Sequence, residues 1–180
     1  MMRAMSFVSI QIISSLLAAA AADVPAAVSP AVTRFVGARA ADTLAGATRV
    51  EVFRVSAQRA QEGAKGVGGY RIVTTGPEQG EAFARRLSAV LLDEKTYRFD
   101  TSKVGGFVPM VGLRAWKGDR WVEVLLSFAN DELVVLSPTA KGDAVRSAQE
   151  DFDGARATLV ELAKAALPED KEVQALREKR

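Results

Sequence analysis

Histidine and cysteine are both missing from all 180 residues. Histidine is the usual general base and the commonest metal ligand, while cysteine supplies the reactive thiol and the disulfide. Their joint absence excludes a Ser-His-Asp or Cys-His arrangement, a conventional zinc site and any disulfide framework. Charge of one sign is missing too. Lys and Arg number 24 against 22 Asp and Glu, a formal net charge of +2. Nothing here forms the strong positive field that nucleic acid or anionic lipid selects. Tryptophan occurs only twice. A spanning helix needs about 20 consecutive apolar residues, and no run in the chain reaches that length.

What is present begins with an export pattern over residues 1–22. Arg3 gives a positive start, Ser6 to Leu17 an uncharged stretch, and Ala18 to Ala22 small residues for a signal peptidase. Cleavage is expected after Ala22 or Ala26. The competing reading is a retained anchor, but the stretch is short and diluted by Gln11, Ser14 and Ser15. The chain is therefore expected to be periplasmic or secreted. With no cysteine after the signal, an acylated anchor is excluded. The mature chain of roughly 155 residues is the size of one domain, and losing Arg3 takes its formal charge from +2 to about +1. Its stability has to come from a core and not from staples.

Residues 23–47 read as a leader rich in Ala, Val and Pro, with a short helix over Ala38 to Ala45 ending at Gly46. An α+β domain is expected over residues 48–168. Its first strand is Thr48 to Val55, which alternates and is dense in β-branched residues. A loop with four glycines follows, then a second strand, Tyr70 to Thr75. Gly76-Pro77-Glu78 suits a helix start, with Gly as N-cap and Pro at the first turn. That helix runs to about Leu92 with Phe83, Leu87, Val90 and Leu91 inward.

Gly118-Asp119 is the sharpest turn signal. Pairing across it sets Trp116 opposite Trp121, Arg114 opposite Glu123, Gly112 opposite Leu125, and Val111 opposite Leu126. Val111, Leu113, Ala115, Val122, Val124 and Leu126 then share one face, and the tryptophans and the charge pair share the other. Asn130-Asp131 turns the chain into a third meander strand, Glu132 to Ser137, with Phe128 and Leu133 expected to pair on the core face. A final helix, Phe152 to Leu167, turns Phe152, Ala155, Leu159, Leu162, Ala163 and Ala166 inward, with Asp153 as its cap. Residues 169–180 are left as a terminal helix and tail anchored by Val173 and Leu176. This order predicts a two-layer α+β sandwich, a mainly antiparallel sheet of about five strands with helices packed on one face.

Chemical motifs are sparse. The loop Gly63 to Gly69 lacks the Gly-Lys-Ser/Thr ending of a phosphate cradle and opens into a strand. Asp151-Phe152-Asp153-Gly154 fails as a calcium loop, because Val160 falls where the bidentate Glu is required. No Ser-x-x-Lys tetrad occurs. Asp93, Glu94, Asp100, Glu123, Asp131 and Glu132 are the carboxylates that a hydrolase or carbohydrate-active enzyme would draw on, although no spacing pairs them. What stands out is Trp116 and Trp121 on the face away from the first core. Arg114 and Leu125 lie beside them, and Val134 and Leu136 share the face. The plain reading is a hairpin tip stabilised by its own aromatic pair. The functional one is a contact surface for a protein or envelope component, or for a second copy in a homodimer.

The segments from Gly69-Tyr70-Arg71-Ile72 through Phe107-Val-Pro109-Met-Val111-Gly-Leu-Arg114-Ala-Trp116 to Asp151-Phe-Asp153-Gly-Ala-Arg156 and Leu167-Pro-Glu-Asp170 resemble a group of uncharacterised exported bacterial proteins. The likeness covers roughly residues 48 to 176. It implies a small α+β domain with no assigned activity, and cysteines in relatives where this chain has Gly105, Ser127 and Asn130. Any redox or metal role of such cysteines is absent here. The expectation is therefore a non-catalytic exported binding or structural module, using Trp116, Trp121, Arg114 and Leu125. No cofactor, metal, nucleic acid or lasting membrane insertion is expected.

Overall fold

A computed structural model describes residues 28–101, 103, 105–138 and 144–179. The expected signal and its expected cleavage sites lie outside these residues. The chain starts with α1 (Pro30–Val36) and α2 (Ala38–Ala45), followed by β1 (Arg49–Arg59), β2 (Gly66–Val67), β3 (Tyr70–Thr75) and α3 (Glu81–Leu91). Next come β4 (Val111–Lys117), β5 (Arg120–Ser127), β6 (Glu132–Pro138), β7 (Ala144–Arg146), β8 (Glu150–Asp151), α4 (Arg156–Ala166) and α5 (Lys171–Gln174).

The strands form one antiparallel sheet in the order β2-β3-β1-β4-β5-β6-β7, with β8 beside β6, and the sheet curls into a half-barrel. This corrects the expected two-layer sandwich of five strands with helices on one face. The eight strands accompany five helices among the described residues. β2, β7 and β8 are two or three residues long, too short to show a period in sequence. The curl has a local cause in β1. This strand pairs with β4 through Arg49 to Arg54 and with β3 through Phe53 to Arg59, and register shifts at Val55 bend it between the two.

Both faces of the sheet are apolar. The larger cluster joins the strands to the helices, through Val32, Leu44, Leu87, Leu91, Leu159 and Val173 among others. The smaller one lies on the opposite face and contains Phe53, Val55, Val67, Tyr70, Leu125, Val134 and Leu136. Burial on both sides explains why β5 and β6 read as nearly continuous apolar runs.

The Gly118-Asp119 hairpin forms in the expected register, from Lys117 opposite Arg120 to Val111 opposite Leu126, with Gly118 at φ 61°. Other expectations shift. Within the stretch read as a leader, Pro30–Val36 is a helix, capped by the Ser29 hydroxyl, which accepts from the Val32 amide. Its Val32 is fully buried. α3 starts at Glu81 after Gly80, not at Pro77. Residues 76–79 instead extend along β1. The Gly76 amide donates to the Val52 carbonyl, and Val50 and Gln79 exchange both backbone bonds. Leu133 pairs with Leu126, while Phe128 sits edge-on to Phe152. The turn into α4 is tied by Asp151, whose Oδ1 accepts from the Asp153 amide, and not by an Asp153 cap.

Candidate functional site

Alternation along β4 and β5 sends Arg114, Trp116, Trp121 and Glu123 to the face opposite the helices, and Glu51 of β1 joins them across Arg114. The two indole rings lie 6.4 Å apart at 57°. Both tryptophans are half-buried. The Trp116 Nε1–H donates to Glu51 Oε2 at 2.8 Å, and the Arg49 guanidinium sits 4.5 Å from the centre of the Trp116 ring. Arg114 lies 5.5 Å from the Trp121 ring and 5.7 Å from that of Phe53. Stacked guanidinium and indole groups attract through the ring quadrupole, by about 0.5–1 kcal/mol at exposed sites. The hairpin tip is tied to the helical layer by Asp42 of α2, which accepts from Lys117 Nζ at 2.7 Å and pairs with Arg120 at 2.8 Å. Those two hydrogen bonds, Lys117 first, hold the Asp42 carboxyl below its ordinary range.

Arg114 is the hub of the face. It donates to Glu123 Oε1 at 2.7 Å and to the Gly66 carbonyl at 3.2 Å, and lies 3.7 Å from Glu51. Glu123 is only 5% exposed and uses its second oxygen to accept from the Gly68 amide at 2.7 Å. The sequence placed Arg114 opposite Glu123 but left out Gly66 and Gly68, because nothing local says that β2 folds over β5. Glu51 and Arg49 were also missed. Only the β1–β4 register brings them beside Trp116, although alternation along β1 does put Glu51 on the same side as Phe53. Leu125 stands apart from the other expected contact residues. It is fully buried in the smaller cluster, against Gly68, so no partner reaches it on this surface.

The carboxylates named from sequence separate into two groups. Asp93, Glu94 and Asp100 line a shallow depression of about 480 Å³, and all three are exposed. Asp93 caps a one-turn helix there, accepting from the Lys95 amide at 3.0 Å. Asp131, Glu132 and Glu123 are buried and engaged. Asp131 pairs with Arg156, and Glu132 accepts from the side-chain amides of Asn130 and Gln149. Ser127 and Asn130, two of the positions given cysteine by the resemblance, are hydrogen-bonded to each other, while Gly105 is exposed. Lys103 clips this corner together. It donates to the Asn130 carbonyl at 2.7 Å and pairs with Asp151 at 2.9 Å and Asp153 at 2.8 Å. Among the described residues no three potential ligands come together to hold a metal ion. No described helix is long and apolar enough to cross a membrane.

No family model, curated protein or solved structure matches this chain. Among the described residues, the Trp116–Trp121 face joins two indole rings to three charged side chains. Both rings are fixed by charged neighbours, and both keep part of their area in solvent.

Proposed function

We propose that the protein is an exported, non-catalytic binding module whose contact surface is the Trp116–Trp121 face, with a protein or envelope component as partner. The observation that carries this reading is the half-exposed indole pair held by Arg49, Glu51 and Arg114. Tryptophan and arginine are the residue types that dominate binding energy at interfaces. Side chains already fixed in place lose little freedom on association, so more of the contact energy appears as affinity. Arg114 and Glu51 add polar groups around the rings. Leu125 is not part of this surface.

Both expected cleavage points, after Ala22 and after Ala26, lie upstream of α1, so removal of the signal leaves every described helix in place. The test compares the wild type with Trp116→Ser and Trp121→Ser, using the mature protein from an envelope fraction. Its N-terminus is expected at Asp23 or Ala27. Each substitution is expected to lower partner capture or self-association at least about tenfold while removing only ~0.5–1.5 kcal/mol of aromatic contact from the fold. Unchanged capture and unchanged sedimentation in both variants would overturn the contact-surface reading. A cell-associated protein beginning at Met1 would overturn export.

A further inference from the structure

Beside the indole pair the smaller apolar cluster is closed by one short piece of chain. β2 is two residues long and pairs only Gly66 with Arg71 and Val67 with Tyr70. Val67 is fully buried, and its side chain occupies the space a side chain at Gly112 would need. Gly68 lies against Leu125 and Leu136, so closely that an added Cβ would stand 2.5 Å from Leu125 Cδ1. Three side-chain contacts hold this segment to the sheet: Arg59 of β1 donates to the Gly68 carbonyl at 3.1 Å, and the other two come from one ion pair. Arg114 donates to the Gly66 carbonyl, and Glu123 accepts from the Gly68 amide. The flanking backbone has pivots: Gly63, Gly68 and Gly69 all have positive φ, at 77°, 56° and 77°. Residues 61–65 between β1 and β2 are exposed throughout.

We propose that residues 60–69 are a hinged cover, latched by the Arg114–Glu123 pair, that shuts an apolar strip running from Trp121 past Phe53 to Leu125, Val134 and Leu136. In the closed state Val67 fills the strip. Opening breaks two ladder pairs, the two latch contacts and the Arg59–Gly68 hydrogen bond, and leaves β4, β5 and β6 paired as they are. A glycine-rich segment with few ladder bonds is the kind of unit that opens at low cost while the sheet beneath stays folded. Arg114 belongs to both the latch and the indole face, so a ligand that draws its guanidinium toward Trp121 loosens the cover. This extends the binding reading above, but the cover itself is a property of the isolated chain and is tested without any partner.

The lack of native cysteine gives a clean test. A Cβ on Gly112 would stand 3.2 Å from Val67 Cβ, a few tenths of an ångström inside the roughly 3.5–4.5 Å of a disulfide, so a small outward shift of the two-residue β2 brings the pair into range. The Gly68 amide is the reporter, since its partner is Glu123 across the closed contact. In the V67C/G112C variant, oxidation is expected to slow hydrogen exchange at Gly68 at least about tenfold relative to the reduced form. The amides of β4–β6 should change less than about twofold. The second variant, Gly68→Ala, wedges the cover against Leu125. It should speed exchange over residues 60–71 and raise the fluorescence of 1-anilinonaphthalene-8-sulfonate severalfold. The idea is overturned if Gly68 in the wild type exchanges at the rate of the β4–β6 amides, or if oxidation leaves it unchanged. It also fails if Gly68→Ala releases residues 60–71 and β4–β6 together, which would make the segment a fixed part of the core. Losing the Trp116 and Trp121 phenotype would leave all of these readouts in place.

Discussion

Tyr97 shows how a single residue couples burial to pH. Its ring packs between Phe35, at 5.1 Å, and Phe99, at 5.2 Å, and its hydroxyl donates to the Leu91 carbonyl at 2.6 Å. Burial, followed by the nearby charge of Glu150, pushes the phenol well above its ordinary value of about 10. The folded state therefore keeps the proton more tightly than the unfolded one. Below pH 10 both states are protonated and the hydroxyl contact contributes fully. As pH rises past about 10, the unfolded chain ionises first and stability falls. The melting temperature is expected to drop between pH 9 and pH 11, and by less in Tyr97→Phe, which has no phenol to ionise. At pH 7 that variant should lose about 1 kcal/mol through the missing hydrogen bond. An equal drop in both proteins would remove Tyr97 as the cause. None of this environment was visible in sequence. Phe35, Leu91 and Glu150 are far from it along the chain or on other elements.

At the scale of elements, Gly76 shows why the sequence misplaced the start of α3. Gly-Pro-Glu satisfies the local chemistry of a helix N-terminus, and that reading was sound for the tripeptide alone. Tertiary pairing overrides it, because the backbone of residues 76–79 finds partners in Val50 and Val52 of β1. The glycine is required for a different reason. A Cβ at position 76 would stand 2.2 Å from the Ala166 carbonyl oxygen at the end of α4. Gly76→Ala is therefore expected to cost about 3 kcal/mol, read from the urea midpoint, because the obstruction is backbone and cannot rotate away. A change below about 0.5 kcal/mol would mean that α4 and the β3–α3 link are not packed this closely. The hairpin is the opposite case. Its register was legible because the same alternation that buries Val122 and Val124 also sets Arg114 against Glu123, and only one pairing satisfies both.

For the molecule as a whole, the main correction is that residues 30–45 belong to the core. Sequence composition placed them in a leader, with a helix expected only over Ala38 to Ala45, where α2 forms; Val32 and Val36 as well as Ala40 and Leu44 are buried in the larger cluster. Removing residues 1–37 deletes α1 with two buried valines, which should destabilise the domain by about 3–6 kcal/mol. Circular dichroism melts of the truncated chain would show this as loss of cooperative unfolding or a large fall in melting temperature. A truncation that melts like the full chain would restore the leader reading. The candidate site was half legible on the same grounds. Alternation put Trp116, Trp121 and Arg114 together, and it also put Leu125 with them. What lies above Leu125 is Gly68, placed by a two-residue strand far earlier in the chain whose seat exists only once the sheet has curled.

The sequence by itself determined what depends on residue type and short-range period. It excluded histidine and cysteine chemistry, supplied five of the strands, set the hairpin register and placed the face carrying the two tryptophans. Tertiary structure alone decided how many strands the sheet has, that it bends at β1, and that its second face is a covered core. It also decided that Arg114 and Glu123 bind the backbone of Gly66 and Gly68 as well as each other. The division has a physical reason. Periodicity reports which side of an element avoids water, but not what shields it. Shielding is a long-range property, made here by a glycine-rich segment too short to carry a pattern of its own.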